Sequence, residues 1–131
     1  MIVDTSAFIA MVFDEPERGE ILELVARHDG PVGMSVGSAL EAAIVLERRG
    51  TPRQRQQLET LRTELGIHLE PATATQYDLA RQAYRAYGRG SGHPAQLNFG
   101  DCFAYALAVD RNEPLLFLGD DFAHTDVLPA R

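Results

Sequence analysis

The side chains of this sequence best suited to chemistry are carboxylates placed at the ends of regular elements: Asp4, Glu41, Asp101 and the adjacent Asp120 and Asp121. Asp4 directly follows a short apolar run, and Asp120 and Asp121 follow a second one late in the chain. Acids that converge with no Lys or His beside them repel one another, and a hard divalent cation with oxygen ligands relieves that repulsion. The pattern therefore indicates a Mg²⁺ or Mn²⁺ site, whose chemistry would be hydrolysis of phosphodiester bonds by a metal-activated water.

Each of these acids also has an ordinary structural explanation. Asp4 is suited to cap a helix, and Asp101 is suited to the positive end of a helix dipole. Asp120 and Asp121 are common turn residues. Glu41 lies among small and apolar residues, where a carboxylate needs either a partner or an exposed position. From spacing alone, the structural and the metal-binding interpretations both stay open.

Strands alternate with helices along the chain. The apolar pattern predicts strands at 2–3, 32–34, 67–69 and 115–118. It predicts helices at 6–13, 16–28, 35–49, 53–65, 73–87 and 98–112, with a Gly-rich loop at 88–97. This order is typical of an α/β fold with a central, mostly parallel β-sheet flanked by α-helices. Because ligands bind beyond the carboxyl ends of parallel strands, we expect the acids to meet at that edge of the sheet.

Two of the predicted helices carry large apolar side chains at helical spacing. In the third helix, one side carries Leu40, Ala43 and Ile44, with Val45 and Leu46 close to it. In the fifth helix, the residues Tyr77, Ala80, Tyr84 and Tyr87 recur at spacings of three and four, and we expect the tyrosines to face the core.

Arginines cluster in two places where RNA phosphates could be held. These are Arg81, Arg85 and Arg89, which recur every four residues beside tyrosines, and the group Arg48, Arg49, Arg53 and Arg55. A solvated helix face explains either cluster equally well, so the sequence assigns no RNA-binding residue.

The composition narrows the class of protein. The 19 acidic and 12 basic residues, all of the latter Arg, give a net charge of −7, which argues against a protein that coats nucleic acid but not against a metal-dependent nuclease. The 131 residues predict a single domain, 1–131, and the lone Cys102 cannot build a disulfide framework. No apolar run reaches the roughly 18 residues of a membrane span. The first residues do not match a secretory signal, so we expect a cytoplasmic protein.

Four segments occur in an order and at separations that together carry a family likeness. They are MIVDTSAFIA at 1–10, SALEAA at 38–43, FGDCFAYALA at 99–108 and LLFLGDDFAHTD at 115–126. Together they span almost the whole chain and resemble the PIN-domain toxins called VapC.

This resemblance implies a PIN fold and a Mg²⁺- or Mn²⁺-dependent endoribonuclease. Such a protein is the toxin of a type II toxin-antitoxin pair and is neutralised by a VapB-type antitoxin. The resemblance also implies a homodimer. We expect the second helix and the helix at 53–65 to offer surfaces for dimer or antitoxin contact.

Residue by residue, the resemblance implies that Asp4 and Asp101 are the principal metal ligands and that Glu41 is the third acid. The family places a fourth acid just after the last long strand. Asp120 is preferred for this role because it is nearer the predicted strand end, and Asp121 is the alternative.

Thr5 and Ser6 match hydroxyl positions that steady the site through hydrogen bonds. A different class of function stays open, namely a non-catalytic PIN-like or receiver-like interaction module. The absence of Lys argues against a receiver, since that chemistry as usually built uses a Lys near the acidic pocket. A degenerate PIN-like module would be expected to have lost acids, whereas all four positions are filled here.

Overall fold

A four-stranded parallel sheet forms the centre of the structure, a computed structural model that describes residues 1–131. Its strands are β1 (Ile2–Val3), β2 (Val32–Ser35), β3 (Ile67–Glu70) and β4 (Leu115–Leu116), in the spatial order β3-β2-β1-β4. Ile2 lies opposite Gly33 on one side and Leu115 on the other. The predicted α/β fold with a parallel sheet is confirmed.

Six helices connect and cover the strands. They are α1 (Thr5–Phe13), α2 (Arg18–Arg27), α3 (Val36–Arg49), α4 (Pro52–Glu64), α5 (Ala74–Tyr87) and α6 (Asp101–Arg111). Two apolar cores lie on opposite faces of the sheet, since Val3 and Leu116 belong to one core while Ile2 and Leu115 belong to the other. None of the helices has the length and apolar character needed to cross a lipid bilayer.

The last strand is shorter than the sequence predicts. Strand β4 ends at Leu116, whereas the apolar run continues through Leu118. The backbone N–H of Leu118 donates to the Ser6 hydroxyl at 3.0 Å, so the chain leaves the sheet there to contact the first turn of α1. This departure brings the segment after β4 to the carboxyl edge of β1.

Helix α3 packs through a different side from the one that its bulkiest residues mark. Ser38, Ala42 and Leu46, spaced four residues apart, are buried, whereas Leu40 is 61% exposed and Ile44 is 44% exposed. Small residues let the helix approach the sheet closely, and the bulkier stripe is left facing outward.

Tyr87 packs against an apolar core as predicted, but the prediction that the α5 tyrosines face the core is wrong for Tyr77 and Tyr84. Their side chains are 61% and 45% exposed, because α5 packs on α6 through Gln76 and Ala83 instead. Five of the eight exposed large apolar side chains therefore lie on α3 and α5. Helix α2 buries its Ile21 and Val25 within the subunit, so it does not present the apolar contact surface expected of it.

Gly37 allows the start of α3 to pack against α6. A Cβ at this position would overlap the ring of Phe103. The ring thus occupies the space that any other residue at position 37 would fill. Since α3 and α6 both carry candidate site residues, this contact sets how closely those residues approach.

Replacing Gly37 with Ala should destabilise the protein by about 1–3 kcal/mol, because the ring or the helix must move. The free energy of unfolding in urea measures this change. Gly19→Ala is the matched control, since nothing lies within 4 Å of a Cβ there and Ala is the better helix former. Equal stability of the two variants would contradict the tight contact.

Candidate active site

Asp4 lies at the carboxyl end of β1 and caps helix α1. Its Oδ2 accepts hydrogen bonds from the backbone N–H of Ser6 at 2.9 Å and from the Ser6 hydroxyl at 2.6 Å. Its Oδ1 is buried and has no hydrogen-bond partner in the protein. The side chain is only 3% exposed, and this burial raises the pKa of Asp4. Asp4 therefore combines one oxygen fixed by the protein with one that is free to bind a ligand.

Ser6 links Asp4 to the far end of the sequence. Its hydroxyl oxygen accepts from the N–H of Leu118 and its hydrogen is donated to Asp4. One side chain therefore orients the acid and fixes the path of the chain after β4. The predicted supporting position at Ser6 makes these two bonds in the structure.

Glu41 reaches the same region from the second turn of α3. The Thr5 hydroxyl lies 2.9 Å from Glu41 Oε2 and 3.1 Å from the carbonyl oxygen of Ser38, and it shares its hydrogen between them. Gly100 packs against the Glu41 carboxylate so closely that a Cβ would overlap its oxygens. Glu41 is thus held between α1 and the segment that leads into α6.

Asp101 is fixed by a reciprocal pair of hydrogen bonds with Asn98. Asp101 Oδ2 accepts from the Asn98 N–H at 2.7 Å, and the Asp101 N–H donates to Asn98 Oδ1 at 3.0 Å. This arrangement is a capping box at the start of the helical turn that continues into α6. It satisfies two backbone donors and leaves the other oxygen of Asp101 for a further partner.

Burial raises the pKa of Asp101 to about 7. The Asn98 N–H opposes this shift, while the charges of Asp4, Asp121 and Glu41 add to it. No basic side chain contributes to this balance. These acids are therefore close enough to repel one another, and the protein supplies no cation to offset the repulsion.

The electrostatic coupling favours Asp121 over Asp120 as the fourth acid. Both side chains are exposed in the turn after β4. The charge of Asp121 raises the pKa of Asp101, whereas Asp120 has no such effect. The sequence favours Asp120 as the fourth acid if the strand continues to Leu118. In the structure, β4 ends at Leu116 and the chain then turns.

The donor set at this edge suits a hard divalent cation. The structure holds no cluster of three His, Cys, Asp or Glu side chains placed to enclose a metal ion by themselves. Mg²⁺ needs only one or two protein carboxylates, because it keeps several of its waters. The unpartnered Oδ1 of Asp4 and the repulsion around Asp101 provide such oxygens and a reason to bind a cation. The residues present fit this ion.

Sequence reasoning missed two residues that shape the site. The sequence predicts that a helix begins at Asn98. The pattern N-x-x-D that Asn98 forms with Asp101 resembles a capping box, which accounts for their reciprocal hydrogen bonds. No sequence pattern marks Gly100 as a site residue, because its contact with the Glu41 carboxylate depends on how α3 approaches this segment.

Cys102 lies beside the acids and takes no part in their chemistry. Its thiol donates to the carbonyl of Asn98 at 3.2 Å, and burial raises its pKa to about 11. A thiol with this pKa is protonated at neutral pH and is a poor nucleophile. The structure agrees with the interpretation of Cys102 as a core residue.

Removing the charge of Asp101 should stabilise the metal-free protein at high pH. The pKa of an unfolded aspartate is about 3.9, so between pH 4 and 7 the folded state keeps a proton that the unfolded state has released. The stability that this proton provides is complete below about pH 4 and is lost as the pH rises through about 7. In EDTA at pH 8, Asp101→Asn should raise the free energy of unfolding by about 1–3 kcal/mol.

Urea unfolding of both proteins at pH 8 and pH 4 measures this gain, which should disappear at the lower pH. Asp29→Asn is the matched control, because Asp29 is an exposed turn residue away from the acids. The same gain in unfolding free energy in both variants would contradict the effect of burial and neighbouring acids on Asp101. A gain that does not depend on pH would contradict it as well.

Comparison with known proteins agrees with the fold. A family model for the PIN domain matches residues 1–128. VapC ribonuclease Mb0625 of Mycobacterium bovis is 50% identical over 127 residues, which cover 97% of this chain and 95% of the relative. Ribonuclease VapC42 of Mycobacterium tuberculosis is 46% identical over 130 residues, which cover 99% of this chain and 98% of the relative.

A solved structure shares the fold. It is that of VapC20 from Mycobacterium tuberculosis, described as a Sarcin-Ricin loop cleaving toxin, with a TM-score of 0.75 at 22% sequence identity. The match covers 97% of this chain and 95% of VapC20. The chain belongs to the PIN-domain family and, within it, to the VapC ribonucleases.

Proposed function

We propose that this protein is a Mg²⁺- or Mn²⁺-dependent endoribonuclease that acts as the toxin of a VapBC-type toxin-antitoxin system. Its membership of the VapC ribonucleases supports the ribonuclease activity. The observation that carries the metal dependence is the set of buried, mutually repelling carboxylates with an unpartnered Asp4 oxygen among them.

Asp4 and Asp101 are the ligands that we assign to the cation, with Glu41 as the third acid and Asp121 as the fourth. When bound, the ion supplies the positive charge and Lewis acidity that phosphodiester hydrolysis requires. The chain itself provides no Lys or His in this cluster that could play that part.

The hydrogen bonds of the site orient the acids and partly oppose the rise in pKa that burial causes. The Ser6 hydroxyl and N–H both donate to Oδ2 of Asp4, which leaves Oδ1 without a partner in the protein. The Asn98 N–H donates to Asp101 in the same way. Thr5 donates to Glu41 and so restrains its longer side chain. Each bond favours the carboxylate over the neutral acid.

Cleavage of RNA by the purified protein should require Mg²⁺ or Mn²⁺ and should stop in EDTA. Asp4→Asn should lower the rate at least about 100-fold, since it removes a charged ligand while keeping the size of the side chain. Asp121→Asn should lower the rate more than Asp120→Asn, because only Asp121 is coupled to Asp101. Gel analysis of a mixed RNA pool measures all three.

Asp120→Asn is the internal control for that series, as it changes the same charge one residue away. A larger loss in Asp120→Asn than in Asp121→Asn would return the fourth role to Asp120. If the wild type cuts no RNA with any metal and calorimetry detects no metal binding, the protein is a non-catalytic interaction module and the proposed function fails.

We further propose that a VapB-type antitoxin inhibits the enzyme with a basic side chain at the acids. The uncompensated charge around Asp101 would attract an Arg or Lys, which would compete with the cation for Asp4 and Asp101. A structure of the pair should show such a side chain beside these residues. Its location far from both would contradict the mechanism.

We propose a homodimer formed through the exposed stripe of α3, which consists of Val36, Leu40 and Ile44. These side chains lie at four-residue spacing and form an apolar strip that no part of the same chain covers. A stable dimer buries about 800 Å² on each partner, so neighbouring elements would also contribute.

Leu40→Glu should convert the dimer to a monomer, because it would bury an unpaired charge in the interface. Sedimentation or light scattering measures the mass. Leu128→Glu is the matched control, since Leu128 is a similarly exposed leucine at 56% outside this stripe. A wild-type monomer, or the same mass for both variants, would contradict this interface.

A further inference from the structure

Phe99 has the most exposed large apolar side chain of the protein, at 78%, and it lies next to the acids. Its neighbour Gly100 packs directly against the carboxylate of Glu41. Consecutive Cα atoms are about 3.8 Å apart, so the ring projects from a point one residue away from the candidate active site.

The ring is held in place without being covered. Phe99 lies inside the capping box formed by Asn98 and Asp101, which fixes its backbone. Its ring meets that of Phe103 edge to face, with centroids 5.1 Å apart and an interplanar angle of 87°. Phe103 in turn packs into the space left by Gly37. An aromatic ring that is fixed in this way and still exposed can stack against a planar group.

Phe99 also lines a cleft of about 680 Å³ between α5 and α6. Tyr77 and Tyr84 lie in the same cleft, together with Arg81, whose guanidinium is 6.0 Å from the centre of the Tyr77 ring. Arg81 forms no ion pair with a carboxylate, unlike half of the arginines of the chain. Aromatic rings with an available Arg are the features that bind single-stranded nucleic acid.

Without a bound cation, the acids repel the phosphates of RNA. The affinity needed next to them must come from contacts that carry no negative charge. A phenylalanine ring meets this requirement, since stacking on a base depends on its π-face and is indifferent to the charge of its neighbours.

We propose that Phe99 stacks on an unpaired base of the RNA beside the bond that is cut, with the strand continuing along the cleft between α5 and α6. The proposal rests on the proposed ribonuclease function. A second copy of this chain is a less suitable occupant, because a symmetric contact at Phe99 would bring two sets of uncompensated acids together.

Fluorescence of a Phe99→Trp variant tests the contact directly, because the chain contains no other Trp. A single-stranded RNA oligonucleotide is added in EDTA, so that binding is observed without cleavage. We expect quenching of the indole fluorescence as the base stacks on the introduced ring. Leu128→Trp is the matched reporter on another exposed site and should not be quenched. An unquenched Phe99→Trp that binds RNA would overturn the proposal.

Kinetics supply the second test. Phe99→Ala should raise the KM for an RNA substrate about tenfold and change kcat much less, since the ring contributes binding and no chemistry. Phe99→Tyr, which keeps a stacking ring, should restore the KM. A wild-type KM in Phe99→Ala would overturn the inference, and so would a loss in kcat alone.

These outcomes separate the inference from the function on which it rests. If the wild-type protein cuts no RNA and binds no metal, the proposed ribonuclease function is wrong. A wild-type protein that cuts RNA, with Phe99→Ala unchanged in KM and altered in sedimentation, assigns the ring to subunit contact and overturns the stacking proposal alone.

Discussion

Burial of neighbouring carboxylates without a basic partner is the constraint on which this structure depends, and the repulsion between them adds to it. Asp4 and Asp101 are both almost fully buried, and neither has a basic side chain to neutralise it. Folding must therefore supply enough specific donors to keep them ionisable at one edge of the sheet. These donors are Ser6 for Asp4, Thr5 for Glu41 and Asn98 for Asp101. Ser6 and Asn98 lie in the same turn as their acids, whereas Thr5 reaches Glu41 from another helix. The cost of this arrangement is met by the apolar packing on both faces of the sheet.

Much of the fold and the set of acids could be predicted from the sequence. Strand–helix alternation is strong in this chain, and it determines that Asp4 and the acids after β4 emerge at one edge. The burial of Cys102 also follows from its position among small apolar residues in α6. Such features depend on local periodicity, which a sequence records directly.

What could not be predicted depends on how elements approach one another. Helix α3 faces the sheet with the side that carries Ala42, which is buried, whereas the larger side chain of Leu40 is exposed. The path of the chain after β4 includes a hydrogen bond from the Leu118 N–H to the Ser6 hydroxyl, 112 residues away, which no local pattern records. Apolar side chains that periodicity assigns to the core and the structure leaves outside are therefore informative, since they mark surfaces prepared for other molecules.

The hydrogen bond between Leu118 and Ser6 also bears on how the protein is made. The acids that we propose for the site come from positions 4, 41, 101 and 121, and the last of them follows β4, which pairs with β1. Contacts of such high sequence separation form late in folding, and a ribosome synthesises the chain from its N-terminus. A nascent chain that has not yet reached Leu115 holds Asp4 and Glu41 but lacks the strand that completes the edge. The edge of the sheet beside Asp4 is therefore completed only after Leu115 and Leu116 have been translated.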